Sequence, residues 1–136
     1  MNMTQILIID DNPTIVRIIE MALQSYGYQV ASANDGETGL ARAKALHPDL
    51  IILDIMMPKM NGYEVCQALR ADPETADIRV LMLTAKGGID DQIPGAGTYV
   101  KNLRERLHGF DVGADDFITK PVKFKELKQR IDLLIQ

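Results

Sequence analysis

The stretch QILIIDDNP constrains this chain more than any other. A continuous apolar run, Ile6, Leu7, Ile8 and Ile9, ends in two adjacent carboxylates, Asp10 and Asp11. A short unbroken apolar run that hands over to a helical pattern reads as a parallel strand covered on both faces. Asn12 supplies a helix cap and Pro13 suits the first helical position. Two like charges at the mouth of a buried strand repel each other and resist desolvation. Something must offset that cost.

The same alternation continues along the chain. The first helix is expected from Pro13 to about Tyr26, and strand-type runs at residues 28–33, 49–54, 78–84 and 116–119. Helical patterns follow Asp35-Gly36 as far as about Leu46, and cover residues 62–69. A fourth helix is expected at 98–110, with Val100, Leu103, Leu107 and Phe110 on one face. The last is expected at 124–135, with Leu127, Ile131 and Leu134 inward. Five such units predict an α/β fold with a doubly wound, five-stranded parallel sheet and right-handed crossovers. The chain reads as one domain over residues 1–136, with no internal repeat, low-complexity segment or linker.

One segment breaks the alternation. The gap between Thr84 and Lys120 exceeds what one helix and one strand require, and the surplus collects in AKGGIDDQIPGAG, residues 85–97. Four glycines and Pro94 bar an uninterrupted helix there. A connection this long reads either as a tolerated surface insertion or as a mobile element that gates a pocket.

Composition narrows the function. With 136 residues and a net charge of −4, the chain does not suggest nucleic acid bound through its own surface. The single Cys66 allows no internal disulfide and suits a reducing cytoplasm, as a small core residue rather than a reactive thiol. No apolar run approaches the ~18 residues of a membrane span, and no signal architecture opens the sequence. A cytoplasmic chain is expected.

Ligands of open α/β sheets bind at the carboxyl ends of the strands. Those ends carry Asp10 and Asp11, Asp54, Thr84 and Lys120. Three acids, a hydroxyl and an amine on one rim suit a hard divalent cation, Mg²⁺ above all where phosphate takes part. A bound cation would offset the repulsion between Asp10 and Asp11. Read singly, each aspartate is an ordinary capping or turn residue; the set at successive strand ends is not.

The motifs LIIDDNP, DLIILDIMMPKMNG, LMLTAK and GADDFITKP stand in this order across nearly the whole chain. Together they resemble the receiver domain of two-component response regulators. The resemblance implies a flavodoxin-like, CheY-like sheet of order 2-1-3-4-5. It implies that Asp54 is the phosphoacceptor, and that Asp11 and Asp54, with the Met56 carbonyl, bind Mg²⁺ or Mn²⁺ while Asp10 holds the metal's waters. Thr84 would contact the phosphoryl oxygens and Lys120 would pair with them. A cis peptide before Pro121 would aim Lys120 inward. Phe117 matches the switch aromatic, and Pro58 and Gly62 match the loop after the phosphorylation site.

By the same resemblance, the phosphoryl donor is a sensor histidine kinase or a phosphotransfer protein. The chain would act as a self-catalysed phosphoacceptor that loses phosphate slowly, rather than as an enzyme. Slow loss is expected because Met56 and Lys86 stand where hydrolytic water is otherwise aligned; Met56 offers no strong hydrogen bond, and a charged Lys86 offers no acceptor. Phosphorylation would remodel the surface of the fourth helix, fifth strand and last helix. A homodimer could form there, with Asp116 and Arg130 paired between copies. The outer lysines of the last helix, Lys123, Lys125 and Lys128, read as a solvated face.

Two other enzyme or cofactor classes fit less well. A haloacid-dehalogenase phosphatase needs a second aspartate two residues after the first, where this chain has Met56. A flavodoxin needs a Ser/Thr/Gly-rich phosphate loop after the first strand, which is missing here. The remaining alternative is a phosphorylation-independent interaction module, a pseudo-receiver.

Overall fold

The computed structural model describes residues 4–84 and 111–136. The expected fourth helix and the 85–97 stretch, Lys86 included, lie outside the described residues. Five strands, β1 (Gln5–Ile9), β2 (Gln29–Ala33), β3 (Leu50–Asp54), β4 (Arg79–Thr84) and β5 (Asp116–Thr119), form one sheet. Their order is β2-β1-β3-β4-β5, and every pairing is parallel. Helices α1 (Pro13–Ser25), α2 (Gly36–Leu46) and α3 (Gly62–Ala71), with a last helix (Phe124–Leu134), cover the sheet.

Side-chain alternation along each strand splits the core in two. Leu7, Ile9, Ile51, Leu53, Val80, Met82 and Phe117 pack on one face with Val65, Cys66 and Leu69 of α3. Ile6, Ile8, Leu50, Ile52, Leu81, Leu83 and Ile118 pack on the other, against Ile19 and Leu23 of α1 and Leu127 and Ile131 of the last helix. Burial of each such side chain contributes about 1.5–3 kcal/mol, enough to fix the register of every central strand.

Helix starts are held by short polar side chains. The Asn12 carboxamide oxygen accepts from the Thr14 and Ile15 backbone N–H groups, with Pro13 at the first helical position as expected. Asp35 caps α2 through Thr38, and Asn61 forms a reciprocal capping box with Glu64. Strand and helix limits differ from expectation by a residue or two. Tyr28 stands outside β2: its backbone N–H bonds the Leu23 carbonyl of α1 at 3.2 Å, and its hydroxyl bonds Asp132 of the last helix at 3.1 Å. Asp49 and Ile78 likewise precede their strands, Tyr26 caps α1 rather than ending it, and Ile135 caps the last helix.

Two expectations about the last helix need correction. Lys128 is not simply solvated: its ammonium bonds the Tyr28 hydroxyl at 3.0 Å and Asp132 at 2.6 Å, over the Tyr28 ring. These two bonds raise its pKa to about 12. Lys123 sits at the N-cap, ahead of the helix, and makes no capping bond through its side chain.

Arg70 ties three parts of the fold together. From α3, its guanidinium donates to the Ala76, Ile78 and Gly113 carbonyls at 3.0, 2.6 and 3.0 Å. It also meets Asp115 at 2.9 Å, and the same carboxylate oxygen accepts from the Val80 backbone N–H. The chain entering β5 is thus clamped to the start of β4. Arg70→Met should therefore lower stability by about 2–4 kcal/mol in urea unfolding, since it strands partly buried carbonyls and the Asp115 charge. Arg70→Lys should recover only part of the loss, because a point charge cannot serve a forked set of acceptors.

Candidate functional site

The carboxyl ends of β1, β3, β4 and β5 meet on one rim of the sheet. Asp10 follows β1, where its backbone N–H bonds the Ala33 carbonyl at 3.1 Å. Its side chain is fully buried, and one carboxylate oxygen accepts from the Asn12 N–H at 2.9 Å. The cap that starts α1 therefore also aims Asp10. Asp54, the last residue of β3, is 3% exposed, and Asp11 beside the pair is exposed. Lys120 is held by its backbone N–H on the Thr84 carbonyl at 2.8 Å and precedes a cis bond to Pro121. Its ammonium reaches Asp54 at 2.9 Å and Asp10 at 3.5 Å.

Charge is out of balance in this pocket. Among the described residues, three carboxylates face one ammonium. Burial, chiefly, together with the Asp10 and Asp11 charges, pushes the Asp54 carboxyl above its ordinary range, although Lys120 pulls the other way. Burial would lower the Lys120 pKa, but the bonds to Asp54 and Asp10 outweigh it and the amine stays charged. Asp10, Asp11 and Asp54 each offer an oxygen within 4.8 Å of the others. A compact all-oxygen set with surplus negative charge fits a small, hard divalent cation such as Mg²⁺.

The other expected residues surround this centre. The Met56 side chain, two positions past Asp54, is 66% exposed. Gly62 donates its N–H to the Ile55 carbonyl at 2.9 Å, so α3 begins directly against the turn that carries Asp54. Pro58 lies in that turn, exposed. Thr84 is buried, with its hydroxyl directed to β5, toward Thr119 at 3.4 Å and the Ile118 carbonyl at 3.5 Å. Phe117 is buried in the core on the α3 face.

Asp116 and Arg130 form a pair within the chain, where pairing between copies was expected. The Arg130 Nη1 stands 2.9 Å from both Asp116 oxygens, which are close enough because β5 and the last helix are neighbours in sequence. Cys66 is buried among α3 core residues, its thiol donating to the Val112 carbonyl at 3.4 Å and pushed by burial to about 11. It is a packing residue.

Three contributors escaped the sequence reading: Asn12 as the residue that orients Asp10, Arg70 with Asp115 as the clamp on β5, and Thr119. Only Thr119 left a usable trace, since a hydroxyl one place before Lys120 falls opposite Thr84 once the two strand ends are aligned.

Among the described residues, no helix is long and apolar enough to cross a membrane. Across residues 6–98 the sequence matches the family model of the response regulator receiver domain. It is 47% identical over 134 residues to the DNA-binding dual master transcriptional regulator RpaA of Synechocystis, covering 98% of this chain and 50% of that protein. The chain spans about half the length of the curated relatives it matches. Chemotaxis protein CheY4 of Vibrio cholerae is 28% identical, with a TM-score of 0.81 over 98% of this chain and 99% of that one. The receiver domain of sensor histidine kinase PA1611 from Pseudomonas aeruginosa is 27% identical, with a TM-score of 0.80 over 98% of each chain; its structure holds a magnesium ion in the active-site cleft. With the family model matched across residues 6–98 and a relative 47% identical over 98% of the chain, the chain belongs to the response regulator receiver domain family.

Proposed function

We propose that the chain is a phosphorylation-dependent switch in which Asp54 accepts a phosphoryl group from the phosphohistidine of a sensor kinase or phosphotransfer protein. The observation that carries this reading is the buried Asp54 carboxylate, 2.9 Å from the Lys120 ammonium and flanked by Asp10 and Asp11. In the transfer, an Asp54 oxygen forms a bond to phosphorus as the donor's N–P bond breaks. The electron pair leaves with the imidazole, which is protonated. Lys120 neutralises charge on the phosphoryl oxygens, and the fixed position of Asp54 replaces intrinsic nucleophilicity. A bound Mg²⁺ would supply further charge neutralisation, held by Asp11 and Asp54 with the Met56 carbonyl and with Asp10 behind its waters.

The product carries close to two negative charges next to Thr84. Turning the Thr84 hydroxyl toward that group would free space into which Phe117 can move, remodelling the β5 surface and the helices beside it. The altered surface would serve dimerisation or the control of a partner, and by likeness to RpaA the output would be regulation of transcription. Pairing of Asp116 and Arg130 between copies would then require their present bond to open.

Acetyl phosphate with Mg²⁺ should add one phosphoryl group by intact-mass measurement, and a chelator should prevent it. No addition under these conditions would refute the reading and favour a phosphorylation-independent module. The acyl phosphate should also last for tens of minutes or longer without a phosphatase, because the Met56 thioether aligns no water. Met56→Asn should shorten that lifetime several-fold. Loss within a minute in the parent would contradict the assignment of Met56.

A further inference from the structure

Thr84 and Thr119 are register partners at the ends of β4 and β5, and Met82 and Phe117 are partners one alternation earlier. All four lie on the α3 face of the sheet, by the period of two along each strand. The Thr84 hydroxyl thus stands at a fork. On one side is β5, where it now reaches Thr119 at 3.4 Å and the Ile118 carbonyl at 3.5 Å. On the other is the end of β3, since the preceding Leu83 is the partner of Asp54.

Both hydroxyl contacts are longer than an ordinary O–H···O bond of about 2.5–3.0 Å. They therefore hold Thr84 weakly. Thr84 is 3% exposed, so water gives its hydroxyl little alternative, and even a weak partner biases where it points.

We propose that Thr119 is a positioning residue: its hydroxyl holds Thr84 turned toward β5 in the resting state and so sets the gap to the phosphoryl-bound state. The inference rests on the phosphoacceptor reading of Asp54. Thr84 cannot donate its one proton to Thr119 and to a phosphoryl oxygen at once. Removing the Thr119 hydroxyl takes its bond to Thr84 away from the resting arrangement.

Thr119→Val keeps the side-chain shape, and Thr119→Ser keeps the hydroxyl. With Mg²⁺ present, Thr119→Val should bind beryllofluoride about two- to fivefold more tightly than the parent, the span that follows from losing one long hydrogen bond. Thr119→Ser should match the parent. In a Thr84→Val background the tightening should vanish, which a purely structural role for Thr119 would not produce. Without ligand, denaturant midpoints for the parent, both single variants and the double variant should show coupling between the two positions.

An unchanged or weaker affinity in Thr119→Val overturns the proposal, as does tightening that survives in the Thr84→Val background. Absence of coupling in the unliganded set overturns it as well. A parent that fails to bind beryllofluoride overturns the phosphoacceptor reading and this inference with it. A parent that binds normally beside an indistinguishable Thr119→Val overturns this inference alone.

Discussion

Asp54→Ala should take up no phosphoryl group under conditions that give the parent one adduct, a loss limited only by detection. The flanking acids cannot substitute. Asp10 is buried and already engaged by the Asn12 N–H and by Lys120, and Asp11 lies at the exposed edge of the cluster. A labelled Asp54→Ala protein would end the assignment. The same variant should be more stable than the parent when no divalent cation is present. Burial raises the folded-state pKa of Asp54, so its ionisation costs stability. That cost is absent below the ordinary carboxylate pKa of about 4 and develops as pH rises through the raised value. The melting-temperature difference, Asp54→Ala minus parent, should therefore be small in acid and widen toward neutrality. Lys120 retains Asp10 at 3.5 Å, so the variant does not strand the amine. Stability given up for function is the usual pattern at such sites.

Gly62→Ala should damage both fold and chemistry. A Cβ at Gly62 would press on the Asp54 carbonyl oxygen and come within 2.8 Å of the Ile55 Cα. Both are backbone atoms, so no side chain can rotate away. Either α3 lifts from the sheet or the end of β3 shifts. The expected destabilisation is about 2–3 kcal/mol, the upper part of the overpacking range. Phosphorylation by acetyl phosphate should slow at least tenfold, because displacing a reacting group by ~1 Å can cost about 100-fold. Gly36→Ala is the control. The atoms nearest its Cβ belong to the Val65 and Met60 side chains rather than to backbone, so it should fold with a smaller loss and react at nearly the parent rate. Equal effects from the two substitutions would show that α3 and β3 are not in hard contact.

The strands were legible because a strand buried on both faces leaves an unbroken apolar run. The Ile and Leu residues of β1 and β3 are fully buried, as their runs imply. Asp10, Asp11, Asp54, Thr84 and Lys120 were legible together for a topological reason: parallel strands deliver all their carboxyl ends to one rim. Long-range pairing is what the sequence concealed. Nothing local to Arg70 announces Asp115, and the Asn61–Glu64 capping box was passed over although its spacing is a helix-start signature. Asp116 and Arg130, read as partners between copies of an activated dimer, also meet within the single chain, a contact between β5 and the last helix that their spacing did not announce. Tyr28 and Lys128 fared similarly, since a hydroxyl and an ammonium placed far apart in sequence gave no hint of each other.

The Arg70 clamp has a consequence for how such a protein can diversify. β4 leaves the sheet at Thr84, whose carbonyl is tied to Lys120, and β5 is regained where Arg70 and the Val80 carbonyl grip residues 113–115. The points of departure and return are therefore pinned by contacts among the described residues on either side. Lengthening an unstructured connection costs only about 0.6 kcal/mol per doubling. Between two such moorings, chain length becomes close to a free variable, and foreign sequence can be spliced in beside the reactive rim without renegotiating the sheet. Lineages and protein engineers alike could use that docking port to change what the molecule recognises while leaving its chemistry untouched.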